Sequence, residues 1–326
     1  MDATLNPTMM NRSFIVAVVL ALVAAVWATV AYLHGANIPV LEPQGPVASG
    51  ELSVMYITLL LCAIIVVPVF VLLFWFAWKY RASNPETAKH HRPEWDHSSA
   101  WLEFSWWLAP TAIIAVLAVV AWQSAHALDP YVPLKGSNAP MTIQVVALDW
   151  KWLFIYPEEG IATVNYLEIP VNSPVHFELT ADAPMNSFWI PALGGQIMVM
   201  PGMTTQLNLL ASNAGVFNGV SGNISGAGFA GMTFAVHAVS ESDFESWING
   251  VKASSTPLTN AVYASLVAPS TYNAVAIYAP IDASLYTAIT MKYMSAADMA
   301  ATLAPTSASS NDMNGMNMPM GDAPMQ

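Results

Sequence analysis

The sequence predicts a membrane-anchored α + β protein, in which N-terminal transmembrane helices precede an antiparallel β-sandwich and C-terminal helices. Hydrophobic residues make up 55% of the 326 residues and charged residues only 9%, which is too apolar for an ordinary soluble enzyme. The apolar residues form long runs before Trp122, whereas short segments bounded by Pro, Gly and Asn follow Met141. This change in the hydrophobic pattern separates a membrane part of the chain from a folded external part.

Three apolar runs are long enough to cross a bilayer, which takes about 20 residues. They are Phe14 to Leu33, roughly Leu52 to Trp78, and about Trp101 to Trp122. The first belongs to an N-terminal hydrophobic segment, 1–36, that is either a retained helix or a signal peptide, and its length favours retention. The other two predict a transmembrane hairpin over 37–123.

Basic residues predict the orientation of this hairpin. Four of the nine Lys and Arg residues lie in the loop 79–100, between the second and third runs. Only four lysines follow Trp122, against 14 acidic residues, so the C-terminal region has a net charge of −10. By the positive-inside rule the loop is cytoplasmic and the C-terminal region is external. The net charge of −12 for the whole chain argues against nucleic acid as a partner.

Five segments of the external region have the pattern of strands, and several of them alternate polar and apolar residues. They are MTIQVVALDW (141–150), ATVNYLEIPV (162–171), PVHFELTA (174–181), MTTQLNLLA (203–211) and MTFAVHAV (232–239). Such short, turn-bounded segments are typical of an antiparallel sandwich, which we place in an external domain over 124–240. Helical periodicity then predicts a C-terminal helical extension, 241–305. The Met-rich tail, 306–326, is too poor in core-forming residues to fold.

A glycine- and serine-rich stretch late in this domain, GVSGNISGAGFAGMTF (219–234), has the spacing of a tight loop that wraps a small site. It contains no cysteine, histidine or acidic residue, however. Cys62, in the second apolar run, is the only cysteine of the chain. No disulfide within the chain and no site built from two thiolates is therefore possible.

Two transmembrane helices followed by a β-sandwich with this loop resemble subunit II of the haem–copper respiratory oxidases. The matching stretches are FAWKYRASN (76–84), SAHALDP (124–130), DWKWLFIYPEEGIATVN (149–165), MNSFWIP (185–191), MPGMTTQL (200–207) and SGAGFAGMTF (225–234). The resemblance implies that the sandwich is cupredoxin-like. In the cytochrome c oxidases of this family it holds a two-copper centre, CuA. The ligands there are one upstream histidine and the motif C-x-E-x-C-x-x-x-H-x-x-M, whose soft thiolates bridge the two ions.

In this sequence the CuA positions carry side chains that cannot build the centre. The upstream histidine corresponds to Asn186, and the motif falls on Ser221, Asn223, Ser225, Phe229 and Met232. Both thiolates are replaced by hydroxyls, which do not ionise near neutral pH. We therefore expect no catalytic residue, cofactor or metal in this chain. This pattern of loss resembles subunit II of the cytochrome-bo-type ubiquinol oxidases, which lack CuA.

The resemblance implies an accessory subunit of a proton-pumping quinol oxidase that reduces oxygen to water with electrons from ubiquinol. Subunit I would carry the haems and one copper, and subunits I, III and IV would be the partners. The location implied is the bacterial cytoplasmic (inner) membrane, with several crossings and a periplasmic C-terminal domain. The alternative function is a membrane-anchored copper-delivery or binding protein, in which thioethers of the Met-rich tail hold Cu(I).

Glu103 is the candidate for proton uptake. It lies at the predicted cytoplasmic start of the third run, in SSAWLEFSWW. A carboxylate in the first turn of a helix is stabilised by the helix dipole, which is the purely structural interpretation. In the family, a glutamate at this position lies at the mouth of a proton channel of subunit I. The resemblance therefore implies that Glu103 takes part in proton uptake.

Overall fold

The computed structural model describes residues 24, 27–32, 38–81 and 100–294. Residues 27–32, within the first apolar run, are helical. The rest of that run, most of the predicted cytoplasmic loop, the last part of the predicted extension and the Met-rich tail lie outside the described residues. The retention of the segment 1–36 therefore stays a prediction.

Two long helices form the membrane part of the described chain, α1 (Pro46–Lys79) and α2 (Ala100–Ala127). Both are long and apolar enough to cross a membrane, as judged by their length and composition. Pro46 occupies the start of α1, where the missing backbone N–H is not needed. Gly50 of α1 lies against Leu128, just beyond α2, so closely that an added Cβ would be 2.7 Å from Leu128 Cδ2. Small size at Gly50 thus lets the two helices approach at this end.

Twelve strands in the described residues form a seven-stranded and a five-stranded sheet. The larger sheet has the order β11-β12-β3-β2-β1-β5-β8, and the smaller has the order β4-β10-β9-β6-β7. The strands are β1 (Met141–Leu148), β2 (Lys151–Tyr156), β3 (Ile161–Val164), β4 (Tyr166–Pro170), β5 (Val175–Ala181), β6 (Asn186–Ile190), β7 (Gly194–Val199), β8 (Thr205–Leu209), β9 (Gly215–Ser221), β10 (Thr233–Val239), β11 (Thr256–Leu258) and β12 (Ala276–Ile281).

The predicted fold class is confirmed, with one refinement in the strand pairing. Most neighbours are antiparallel, but β1 pairs with β5, β4 with β10, and β11 with β12 in parallel. The two strands of each parallel pair are joined by a long connection, as parallel neighbours must be. Strands β2 to β4 intervene between β1 and β5, for example, and β4 belongs to the other sheet.

The predicted strand 162–171 is divided between the two sheets. Asn165 has a positive φ of 55°, which breaks the extended chain between β3 and β4. Asparagine tolerates this left-handed conformation better than a branched residue does. Its side chain also accepts a hydrogen bond from the Trp152 N–H at 2.9 Å and donates one to the Asn273 carbonyl at 3.1 Å. Asn165 therefore fixes the point at which the chain changes sheet.

Aromatic side chains fill the core between the two sheets. Trp152 and Phe154 of β2 meet Phe188 of β6 and Phe234 of β10, all fully or almost fully buried. The ring centroids of Trp152 and Phe188 are 5.3 Å apart, and those of Phe188 and Phe234 are 5.2 Å apart. These separations are within the favourable range for aromatic pairs.

After Ser240 the chain forms the helices α3 (Glu241–Ser254), α4 (Asn260–Val267) and α5 (Leu285–Met291). The apolar side chains of α3 join the core between the sheets, whereas α4 and α5 cover the outer face of the seven-stranded sheet. Leu258, Leu285 and Ile289 pack in one buried cluster with Leu153 and Ile155 of β2. The extension predicted as helical over 241–305 is therefore mixed, because β11 and β12 add to the sheet beside β3. These strands are short and lack a clear alternation, so periodicity does not reveal them.

Lys151 ties α4 to the seven-stranded sheet. Its side chain is buried, and Nζ donates hydrogen bonds to the carbonyls of Leu266 at 2.6 Å and Ala268 at 2.9 Å. Burial lowers the pKa of Lys151, while the charge of Asp149 raises it. Carbonyls at the end of a helix carry a partial negative charge, so they suit a cationic donor.

Asp182 ties the end of the described extension to the end of β5. Its buried carboxylate accepts hydrogen bonds from Lys292 Nζ at 2.7 Å, the Tyr263 hydroxyl at 2.8 Å and the Tyr293 hydroxyl at 2.5 Å. The hydrogen bond to Asp182 raises the pKa of Lys292. Three donors on one carboxylate provide the compensation that a buried charge requires.

Helix α3 closes the sandwich beside β4. Trp247 contacts Tyr156 and Tyr166, with ring centroids 5.6 and 5.9 Å away. Tyr166 donates a hydrogen bond to Glu168, which is buried on β4 opposite His237 of β10. Burial raises the pKa of Glu168, while the Tyr166 hydrogen bond and the charge of His237 lower it.

Replacing Lys151 by methionine should lower the free energy of unfolding by about 2 kcal/mol, because two carbonyls lose a charged donor. For a domain of this size the midpoint of thermal unfolding should fall by roughly 4–8 °C. Circular dichroism of the detergent-solubilised chain measures it. Lys135→Met, at an exposed lysine, is the control and should leave the midpoint unchanged. Equal midpoints for the two variants would contradict the role of Lys151.

Glu168→Gln should change how stability depends on pH. The raised pKa means that the folded chain holds the Glu168 proton more tightly than the unfolded chain. The contribution of this group is therefore greatest at low pH and falls as the pH rises above the ordinary value of 4.5. Thermal midpoints measured from pH 4.5 upward should fall less in Glu168→Gln than in the wild type. Glu245→Gln, at an exposed site on α3, should keep the wild-type slope.

Candidate functional site

The glycine- and serine-rich stretch forms the connection between β9 and β10 and is closed by its own backbone. The N–H of Ser221 donates to the carbonyl of Met232 at 3.2 Å, so the two ends of the loop meet. Within the loop, Phe229 N–H donates to Gly226 and Gly231 N–H to Gly228, around a 3-10 turn at Phe229–Gly231. The loop therefore holds its conformation without an external ligand.

Three of the predicted site residues are brought together by hydrogen bonds. Ser221 Oγ donates to Asn186 Oδ1 at 3.2 Å, and it lies 3.3 Å from the Asn223 carbonyl oxygen. Asn186 Nδ2 donates to the Pro184 carbonyl at 2.8 Å, and Asn223 Nδ2 to the Met185 carbonyl at 3.0 Å. The side chains at these positions thus satisfy one another and the nearby backbone.

The other three predicted site residues are not joined to this group by their side chains. Met232 is fully buried in the hydrophobic core between the sheets. Phe229 is half-buried at the start of the 3-10 turn. Ser225 Oγ is buried and has no hydrogen-bond partner among the described residues. A buried hydroxyl without a partner lowers stability, so the Ser225 hydroxyl does not stabilise the conformation of the loop.

Trp150 supports the loop from the turn between β1 and β2. A Cβ added at Gly228 would be 2.4 Å from Trp150 Cδ2, and one added at Gly226 would be 2.9 Å from Trp150 Cζ2. Gly226 also has a φ of 127°, which favours glycine. Trp150 itself has a positive φ of 60°, which is uncommon for a bulky residue. The glycines of the loop are therefore required by the indole ring that lies against them.

The residues at the six CuA positions do not fit a two-copper centre. Copper in such a site is held by soft thiolates and imidazoles, whereas these positions offer hydroxyls, amides, a phenyl ring and one thioether. No group of three or more His, Cys, Asp and Glu side chains that could hold a metal ion occurs in the described ranges. Cys62 lies in α1, outside the sandwich.

Glu103 lies in the first turn of α2, and its side chain is exposed. Helix α2 leads from there to the sandwich, and Ala127 lies 24 positions after Glu103, which corresponds to about 36 Å along the helix. Glu103 and the loop therefore belong to opposite ends of the molecule and cannot form one site.

Two family models match the sandwich and its extension. The model "Cytochrome C oxidase subunit II, periplasmic domain" matches residues 157–239, and the "COX Aromatic Rich Motif" matches residues 252–297. The cytochrome bo(3) ubiquinol oxidase subunit 2 of Pseudomonas putida is 47% identical over 80% of this chain and 82% of its own length. The ubiquinol oxidase subunit 2 of Acetobacter aceti is 46% identical over 80% of this chain and 84% of its own length. This chain belongs to the ubiquinol oxidase subunit 2 family.

The resemblance inferred from the loop is confirmed by this membership. A solved structure of the periplasmic domain of subunit II of cytochrome oxidase from Bradyrhizobium japonicum is 25% identical and covers 35% of this chain and 94% of its own, with a TM-score of 0.34. In this member of the ubiquinol oxidase subunit 2 family, hydrogen bonds and tryptophan packing hold the loop between β9 and β10.

Restoring the ligands should restore copper binding, because the hydrogen bond between Asn186 and Ser221 shows that the two positions remain close. We expect the combined substitutions Asn186→His, Ser221→Cys, Ser225→Cys and Phe229→His to bind copper and to produce a near-infrared CuA band. The same variant without Ser225→Cys has only one thiolate at the site and is the control. A folded fourfold variant that binds no copper would contradict the retained geometry.

Proposed function

We propose that this chain is the redox-inactive accessory subunit of a proton-pumping respiratory oxidase that reduces oxygen to water with electrons from ubiquinol. The proposal rests on the loop at Ser221 and Ser225, which has the residue spacing of a CuA ligand loop but no thiolate. Subunit I would hold the haems and one copper, and subunits III and IV would complete the complex. The relatives at 46–47% identity are named as ubiquinol oxidase subunits, which supports this assembly.

The side chains of the loop determine how electrons enter the oxidase. A soluble cytochrome delivers electrons through an external domain only when that domain holds an electron carrier. The side chains at the six CuA positions cannot hold the carrier that related oxidases use. A lipid-soluble quinol instead reaches the catalytic subunit within the membrane, so that the sandwich takes no part in electron transfer.

The hairpin and the sandwich are tied together, which suits a structural role at the outer membrane face. Gln44 N–H donates to the Ala192 carbonyl at 2.7 Å, and Ala48 N–H donates to the Leu193 carbonyl at 3.1 Å. The start of α1 is therefore bonded to the turn between β6 and β7. The positive-inside rule, applied to the basic residues of the sequence 79–100, supports a periplasmic location of the sandwich at a bacterial inner membrane.

We assign Glu103 to proton uptake at the cytoplasmic side. Its exposed position in the first turn of α2 leaves the carboxylate accessible to a partner subunit. Ionisable groups at membrane depth are costly, and those that occur commonly serve proton or ion pathways.

Purification of the tagged chain from membranes tests the proposed function. The particle should contain haem, oxidise ubiquinol and fail to oxidise reduced cytochrome c. A particle without haem that binds Cu(I) through the Met-rich tail would instead support copper delivery. The family membership does not favour that alternative.

Glu103→Gln should slow oxygen reduction several-fold while leaving the haem content of the complex unchanged, because the amide keeps the shape but cannot carry the proton. Glu103→Asp should have a smaller effect. Steady-state oxygen consumption by the purified complex measures both. Glu42→Gln, at an exposed carboxylate near the external end of α1, is the control. If Glu103→Gln consumed oxygen at the wild-type rate, the proton-uptake role would be contradicted, and Glu103 would be only a carboxylate that stabilises the start of α2.

A further inference from the structure

The segment between α4 and β12, residues 268–275, lies against the loop between β9 and β10. We define this segment as the strap. A Cβ added at Gly228 of the loop would be 2.7 Å from Thr271 Cγ2, and one added at Gly231 would be 2.9 Å from Tyr272 Cδ1. The C-terminal extension therefore contacts the loop directly, at glycines whose small size permits the approach.

The backbone is strained where the strap and the loop meet. Four non-glycine residues of the described chain have a positive φ, and two of them are asparagines, which tolerate this conformation. The other two are bulky aromatic residues, Trp150 with a φ of 60° and Tyr272 with a φ of 52°. The ring of Trp150 lies against Gly228, and that of Tyr272 lies against Gly231. Both aromatic outliers of the described chain thus contact the same loop.

Burial in a core does not account for the conformation of Tyr272. Its side chain is 77% exposed, so one side of the ring faces the loop and most of the ring faces solvent. Strained backbone persists only where the surrounding structure imposes it, and it occurs most often at functional positions. The contact with the loop is therefore the feature that the strained residue serves.

Two hydrogen bonds from the sandwich anchor the strap. Lys151 Nζ donates to the carbonyl of Ala268, the first residue of the strap, at 2.9 Å. Asn165 Nδ2 donates to the carbonyl of Asn273, near the other end, at 3.1 Å. Because Lys151 directly follows Trp150, adjacent residues at the start of β2 hold the strap and the loop. The three segments form one mechanical unit.

We propose that the strap is a clamp that holds the loop between β9 and β10 in its closed conformation. Four glycines within residues 222–231 make the loop entropically costly to order. The strap offsets this cost by covering one side of the loop, while Trp150 covers another. This inference gives the C-terminal extension a task beyond the proposed function and does not depend on that function. A clamp in this position also closes the side of the loop at Gly228 and Gly231 to other molecules.

Tyr272→Gly tests the clamp, because it removes the ring while glycine adopts the same backbone conformation without strain. The amides of Gly231 and Met232 donate hydrogen bonds within the loop and report on its opening. In the full chain in detergent, we expect them to exchange with deuterium roughly fivefold faster in the variant, because the loop opens more often. The midpoint of thermal unfolding should stay at the wild-type value, since the ring lies outside the core. Tyr131→Gly, at an exposed tyrosine outside the strap, is the control and should leave exchange in the loop unchanged.

A substitution on the loop side provides the reverse test. Gly231→Ala places a methyl group against the Tyr272 ring and should also accelerate exchange in the loop. When Gly231→Ala is combined with Tyr272→Gly, the methyl group meets no ring, so exchange should be no faster than in Tyr272→Gly alone. Wild-type exchange in Tyr272→Gly would overturn the clamp, and so would additive effects of the two substitutions. A lowered unfolding midpoint in Tyr272→Gly would also overturn it, because the ring would then support the whole domain and not the loop.

Discussion

Strand β2 is buried on both faces, and its side chains join the two hydrophobic clusters that hold the external domain together. Trp152 and Phe154 point into the core between the sheets, and Leu153 and Ile155 point into the cluster beneath the C-terminal extension. Each such side chain stabilises the fold by about 1.5–3 kcal/mol. The sandwich and the extension consequently share one sheet, and neither buries its apolar surface without the other. Trp150, immediately before β2, is held in place by the same packing.

The packing of β2 and Trp150 sets the position of the loop between β9 and β10. Trp150 lies against Gly226 and Gly228, while Met232 is buried in the core at the other end of the loop. Ser221 and Asn186, on neighbouring strands, complete the closure with a hydrogen bond. A metal ion is therefore unnecessary for the conformation of the loop.

The sequence predicted the parts of the molecule whose patterns are local. The two membrane helices follow from apolar runs, the C-terminal helices from helical periodicity, the loop from its glycines, and β1, β5, β8 and β10 from short turn-bounded segments. Strand β2 shows no alternation because both its faces are buried, and β11 and β12 are too short to show any. The hydrogen bond between Asn186 and Ser221 depends on the pairing of β6 with β9, which no local pattern encodes. The left-handed conformation of Trp150 likewise has no signal in the sequence, because packing imposes it.

If this chain is the redox-inactive subunit of an oxygen-reducing complex, the copper in that complex belongs to the catalytic subunit alone. The test is the ratio of copper to haem in the particle purified through this chain, measured together with its near-infrared spectrum. We expect haem, a single copper assigned to the catalytic subunit, and no CuA band. Additional copper accompanied by a CuA band would show that the loop between β9 and β10 holds an electron carrier.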